Sequence, residues 1–142
     1  MKTIEENIAE IESDFSMFDQ WVDKYAYLID LGKSLPLIDA KYKDEDHLIR
    51  GCQSQVWLAA HLNDQGRIEF TADSDAIITK GIISLLVRVL SGQTPQDIAQ
   101  ADLSFIDRIG LSSHLSPTRA NGLSEMIRQM KLYAAAFAAK EK

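Results

Sequence analysis

The chain has 142 residues, 15 Lys plus Arg against 21 Asp plus Glu, and a net charge of −6; the length fits one domain spanning residues 1–142 that can bury a core without covalent staples. The acidic balance argues against partners that are nucleic acid or anionic membrane surfaces and leaves proteins or small molecules. A single cysteine cannot form an internal disulfide, which points to a reducing compartment, and no run of about 18 apolar residues is available to span a membrane.

The opening stretch "MKTIEENIAEIESDF" is acidic and amphipathic, unlike a signal or transit peptide, so the expected localisation is cytoplasmic. Thr3 and Glu6 have capping-box spacing, and Ile4, Ile8, Ile11, Phe15 and Phe18 follow at helical intervals. A second helix is expected from about Asp19, with Trp21, Val22, Tyr25, Leu28 and Ile29 as its apolar stripe and Gly32 as its C-cap. Residues 33–47 are polar, contain Pro36 and read as a surface loop.

The period then changes. "VWLAAHLN" alternates Val56, Leu58, Ala60 and Leu62 against Trp57, Ala59 and His61, "NDQG" is a hairpin turn, and "RIEFTAD" is a second strand. A third strand is expected around Leu48 to Gly51. Because a hairpin alone is marginal, helices must cover one of its faces. "SDAIITKGIISLLVRVLSG" reads as a central buried helix started by Ser74 or Asp75 and ended by Gly92. Thr94 before Pro95 opens a short helix, and "SPTR" at 116–119 repeats that device for a last helix carrying Leu123, Met126, Ile127, Met130, Tyr133 and Phe137. The fold class is therefore α+β, a small antiparallel sheet packed against several helices.

Cys52 stands in "RGCQSQVW", between the polar loop and the first clear strand. Gly51 permits unusual backbone angles, and Gln53, Ser54 and Gln55 add polarity without charge. Two readings stay open on these residues alone: a thiol presented at a loop tip held by a rigid scaffold, or a small buried core residue, since free cysteine is among the most buried types. A thiol with an unperturbed pKa near 8.5 is only about 3% thiolate at pH 7, so a nucleophile needs a cation, a helix N-terminus or a base nearby. The candidates are Arg50, Arg119, Lys80, His47, His61 and His114. Arg119 falls in the first turn of the last helix, where a cation opposes the dipole, which suggests another purpose for it. One Cys and three scattered His lack the spacing of a metal site. CxxC chemistry and a glycine-rich phosphate loop are both absent. A Cys/His hydrolase is compatible with the composition, although no His lies in a recognisable motif.

"GCQSQVW" resembles the active-cysteine motif of the SufE/CsdE family of sulfur acceptors. "DSDAIITKGIISLL" at 73–86, "TPQDI" at 94–98, "LSSHLSPTRANGLSEMIR" at 111–128 and "YAYLIDLGKSLP" at 25–36 resemble further blocks of that family, in the same order along nearly the whole chain. Ala72 stands where the family has a glycine, and the N-terminal helix is less family-like. The resemblance implies a SufE-like fold, similar to that of the iron–sulfur scaffold IscU. It implies that Cys52 takes persulfide sulfur from a PLP-dependent cysteine desulfurase of SufS or CsdA type and passes it to an iron–sulfur scaffold of SufB type, stimulating the desulfurase as well. PLP would belong to the partner, and no cofactor is expected on this chain. Carried onto this sequence, Gly51, Gln53, Ser54 and Gln55 shape the loop, Asp75 affects how the loop is held, and Arg119 stabilises the thiolate or persulfide if the fold brings it near. Asp75 reads equally as a helix N-cap, and His114 matches a motif position without an assigned chemistry. A docking module that activates a desulfurase with Cys52 inert is the competing reading.

Overall fold

A computed structural model describes residues 2–50 and 54–140. Among them are six α-helices and one two-stranded antiparallel sheet, an α+β arrangement as expected: α1 (Ile4–Ser16), α2 (Trp21–Lys33), β1 (Val56–Leu62), β2 (Ile68–Ser74), α3 (Ile77–Leu90), α4 (Pro95–Gln100), α5 (Phe105–Arg108) and α6 (Pro117–Lys140). None of these helices is long and apolar enough to cross a membrane.

Local sequence signals account for most of the boundaries. Thr3 and Glu6 form the capping box of α1, whose Ile4, Ile8, Ile11 and Phe15 are buried. Thr94 Oγ1 accepts from the Asp97 amide at 3.2 Å, ahead of Pro95 at the first position of α4. Ser116 Oγ accepts from the Arg119 amide at 3.3 Å at the start of α6. The hairpin pairs Val56 with Ser74 through Leu62 with Ile68, and its turn is closed by Asn63 Oδ1, which accepts from the amides of Gln65 and Arg67. Gly66 turns there at φ 73°, a conformation that glycine adopts without penalty.

The core is organised around α3. Thr79, all of 81–87, Val89 and Leu90 are buried, because α1, α2, α6 and the inner face of β2 pack around that helix. Along β2 the residues Ile68, Phe70, Ala72 and Ser74 turn inward with period two. Tyr133 of α6 donates to the Leu58 carbonyl at 3.3 Å and ties α6 to β1. Between α1, α2 and α3, the Tyr27 hydroxyl donates to Asp14 Oδ2 at 2.6 Å and accepts from Arg88 Nη1 at 2.9 Å. Burial first, and the bond to Asp14 next, push the Tyr27 phenol up to about 12.

Several expectations are corrected. Gly32 is not a C-cap: α2 runs through it to Lys33, with Ser34 as the cap, and Gly32 is buried against Gly81 of α3. A Cβ on Gly32 would lie 3.2 Å from the Gly81 nitrogen, and one on Gly81 would lie 2.2 Å from the Leu28 carbonyl oxygen, so both glycines serve a close crossing of two helices. Val22 is 73% exposed and lies off the apolar stripe. Neither Ser74 nor Asp75 caps α3: β2 continues through Ser74, and the helix begins after Ala76, which has no side-chain acceptor. The segment 33–47 is not only surface, because Leu35 and Ile38 are buried and residues 36 and 38 hydrogen-bond to Ala72 along the free edge of β2. In the described part of the expected third strand, pairing is limited to a single antiparallel bridge between Leu48 and Trp57. The turns at 105–108 and 112–114 carried no periodic signal in the sequence.

Candidate functional site

Gly51, Cys52 and Gln53 lie outside the described residues; the chain on both sides of them is described. Below the loop, the Ile49 amide donates to the Val56 carbonyl at 2.8 Å, next to the Leu48–Trp57 bridge. Residues 50–55 therefore connect two positions held together by backbone pairing. Arg50, at the start of this connection, is exposed.

The far side of the loop is anchored on the approach to α3. The Gln55 amide donates to Asp75 Oδ1 at 3.0 Å, and the Asp75 amide donates back to the Gln55 carbonyl at 3.3 Å. Asp75 is free for this because it is not needed as a cap. Ser54 Oγ lies 3.2 Å from Oγ1 of Thr79, a buried residue in the first turn of α3. Ser54 and Gln55 are thus fastened to the N-terminal end of a buried helix, which carries partial positive charge.

A charged cluster lies beside these anchors. Asp73 faces Trp57 across the ladder. Its carboxylate accepts from Lys43 Nζ at 2.6 Å and lies 3.4 Å from Lys80 Nζ. Burial disfavours its ionised form, but the Lys43 hydrogen bond, the Ser74 amide and the Lys80 charge outweigh that and hold the carboxyl below its usual range. Lys43 Nζ also stands 5.4 Å from the centre of the Trp57 ring. This ion pair joins segment 39–47, β2 and α3 into one frame.

The three histidines have partners of their own. His47 Nδ1 lies 2.8 Å from Asp44 Oδ1, and His61 Nε2 lies 3.2 Å from its cross-strand neighbour Glu69. His114 is a packing hub. Its ring stacks on Trp21 with centroids 3.8 Å apart and planes 15° from parallel, and its carbonyl accepts from the Tyr25 hydroxyl. Nδ1 lies 2.9 Å from the Gly110 carbonyl, and since a carbonyl can only accept, Nδ1 carries the proton. Gly110 adopts φ 80°, and a Cβ there would lie 3.2 Å from Trp21. Arg119 sits half-buried in the first turn of α6.

Of the residues singled out from the sequence, Ser54, Gln55 and Asp75 are brought together, and Lys80 stands close by through Asp73. Thr79, Asp73, Lys43 and Trp57 join them, although none is among the residues that the sequence marks for chemistry. Asp73 and Thr79 lie within or beside "DSDA", so that motif pointed to them; Lys43, thirty residues away in a polar loop, carried no signal.

Residues 9–134 match the family profile SufE, described as an Fe-S metabolism associated domain. An uncharacterised SufE-like protein of Rhizobium meliloti (strain 1021) is 37% identical over 129 residues, covering 88% of this chain and 92% of that protein. The solution structure of a hypothetical protein from Thermus thermophilus shares the fold, with a TM-score of 0.78 at 16% identity over 94% of this chain and 96% of that one.

Proposed function

The chain belongs to the SufE family, and from that premise we propose that it is a sulfur acceptor in iron–sulfur metabolism, with Cys52 as the residue that receives and carries the sulfur. The observation that carries this reading is the family match across 9–134, which contains the chain's one cysteine within "GCQSQVW". The donor would be the persulfide of a PLP-dependent cysteine desulfurase. The Cys52 thiolate attacks the outer sulfur of that persulfide; the new sulfur–sulfur bond forms on Cys52, the old one breaks, and the desulfurase cysteine leaves as a thiolate. Nothing is oxidised or reduced overall, and no cofactor is needed on this chain. A second attack, by a thiolate of an iron–sulfur scaffold, would unload the sulfur.

The anchors support this chemistry. Ser54 and Gln55 are held at the N-terminal turn of α3, and Cys52 lies only two residues before Ser54, a reach of about 7 Å of chain. A thiolate or persulfide held at such a helix N-terminus is favoured over the neutral thiol. A lone cysteine also suits a carrier, because a neighbouring thiol would attack the persulfide and release sulfide. Arg119, from the first turn of α6, is proposed as a second positive group for the anion.

Incubation with a cysteine desulfurase and free cysteine, followed by intact mass measurement without reductant, tests the reading. A gain of one sulfur atom, absent in Cys52→Ser and reversed by dithiothreitol, is expected. Desulfurase stimulation that persists in Cys52→Ser, with no sulfur gained by the wild type, would instead identify a docking module.

A further inference from the structure

Beside Gly32, where α2 and α3 cross, the surface carries a notch. It is lined by Ile29, Gly32, Lys33, Ile77 and Lys80, is almost wholly apolar, and has a volume of about 110 Å³. Small-molecule sites run to about 300–1,000 Å³, so this one has room for a single side chain and not for a cofactor. At its edge stands Ile77, the first residue of α3, 65% exposed. Folding gains little from a branched apolar residue left in water, whereas an interface gains when such a residue is covered.

The charged residues that line the notch are both lysines. Lys33 and Lys80 line the notch with their aliphatic stems. Each has one carboxylate at 3.4 Å, Asp30 for Lys33 and Asp73 for Lys80, and the pair at Lys33 is exposed on both sides and therefore weak. On a chain of net charge −6, a lysine-rimmed apolar notch selects an apolar side chain flanked by carboxylates. A second copy of this chain is a poor occupant, because two-fold pairing of the same face would set lysines against lysines. The notch also adjoins the loop anchors: Ile77 is two residues beyond Asp75, which holds Gln55.

We propose that this notch receives one apolar side chain, of leucine, methionine or phenylalanine size, from an acidic segment of the desulfurase that delivers sulfur to Cys52. The proposal rests on the sulfur-acceptor reading and adds to it the face on which the donor docks.

The test measures the affinity of a cysteine desulfurase from the same organism for the wild type, Ile77→Asp, Lys33→Glu and Val22→Asp. The last is a control at a similarly exposed apolar residue, 73% exposed. Loading of Cys52 by inorganic polysulfide, which needs no docking, is followed in parallel. Ile77→Asp should weaken binding at least about tenfold, as expected for loss of an apolar anchor. Polysulfide loading and the circular dichroism spectrum should not change. Lys33→Glu should slow association, with a deficit that shrinks in high salt. Ile77→Asp binding like wild type, Val22→Asp failing equally, or Ile77→Asp abolishing self-association while desulfurase affinity is kept would each overturn the proposal. A wild type that neither binds a desulfurase nor gains sulfur from one would overturn the sulfur-acceptor reading itself, and this docking face with it.

Discussion

Gly81→Ala tests whether the α2–α3 crossing is set by backbone contact. A methyl group there would lie 2.2 Å from the Leu28 carbonyl oxygen, 2.6 Å from its carbon and 3.2 Å from the Leu28 Cβ. Non-bonded carbons rest at about 3.5–4.0 Å, so α2 must retreat by about 1 Å, and no rotamer change relieves a clash with backbone. Overpacking costs about 1–3 kcal/mol, and a backbone obstacle places this case at the top of that range. Alanine returns about 1 kcal/mol of helix propensity over glycine, which leaves a net loss of about 2 kcal/mol. For a chain of this length each kcal/mol corresponds to about 2–4 °C, so the thermal midpoint should fall by about 4–8 °C. Gly32→Ala is the internal control: its methyl would meet the Gly81 nitrogen at 3.2 Å and Cα at 3.4 Å, a tight contact that the propensity gain of about 1 kcal/mol offsets. Urea unfolding followed by far-ultraviolet circular dichroism measures both variants. Gly81→Ala as stable as wild type, or Gly32→Ala the more damaging of the two, would refute the argument.

Asp75→Ala removes the acceptor for the Gln55 amide and should cost about 1 kcal/mol while raising the rate of Cys52 alkylation by iodoacetamide; Asp75→Asn, which keeps a carbonyl acceptor, should stay near wild type, and equal alkylation rates in all three would rule out the tether. The folded state holds the Asp73 carboxyl below its ordinary value, so its contribution to stability is present above the unfolded pKa of about 3.9 and is lost as pH falls through the folded one. Asp73→Asn should therefore flatten the loss of stability between about pH 5 and about pH 3, compared by urea midpoints; an unchanged acid limb would show that the Lys43 and Lys80 contacts contribute nothing. His114→Ala loses the Trp21 stack and the Gly110 hydrogen bond, for a cost of about 1–2 kcal/mol, and should leave sulfur loading of Cys52 intact at a temperature where the variant is folded. Loss of loading there would give His114 a chemical role.

What could be read from the sequence was local. The capping box of Thr3 and Glu6 and the Thr94–Pro95 start of α4 each involve partners within a few residues, so residue type and spacing identify them. The hairpin was legible for the same reason, since Asn63 and Gly66 close its turn. Family membership was legible because five blocks recur in order, whatever their geometry. The expectation that Asp75 caps α3 failed on a non-local contact: its carboxylate goes to Gln55, twenty residues earlier in the chain, and short-range capping statistics carry no information about that partner.

The amino-acid order alone settles the α+β class, most helix starts and the hairpin, because hydrogen bonds between residues three or four apart, turn geometry and apolar period depend on neighbours in the chain. The roles of Gly32, Gly81, Asp73 and Lys43 arise only when α2, α3, β2 and the 39–47 segment pack together. A glycine is a helix stop or a helix contact according to what lies across from it, and a carboxylate is a cap or a clamp according to which amide or ammonium the fold brings within about 3 Å.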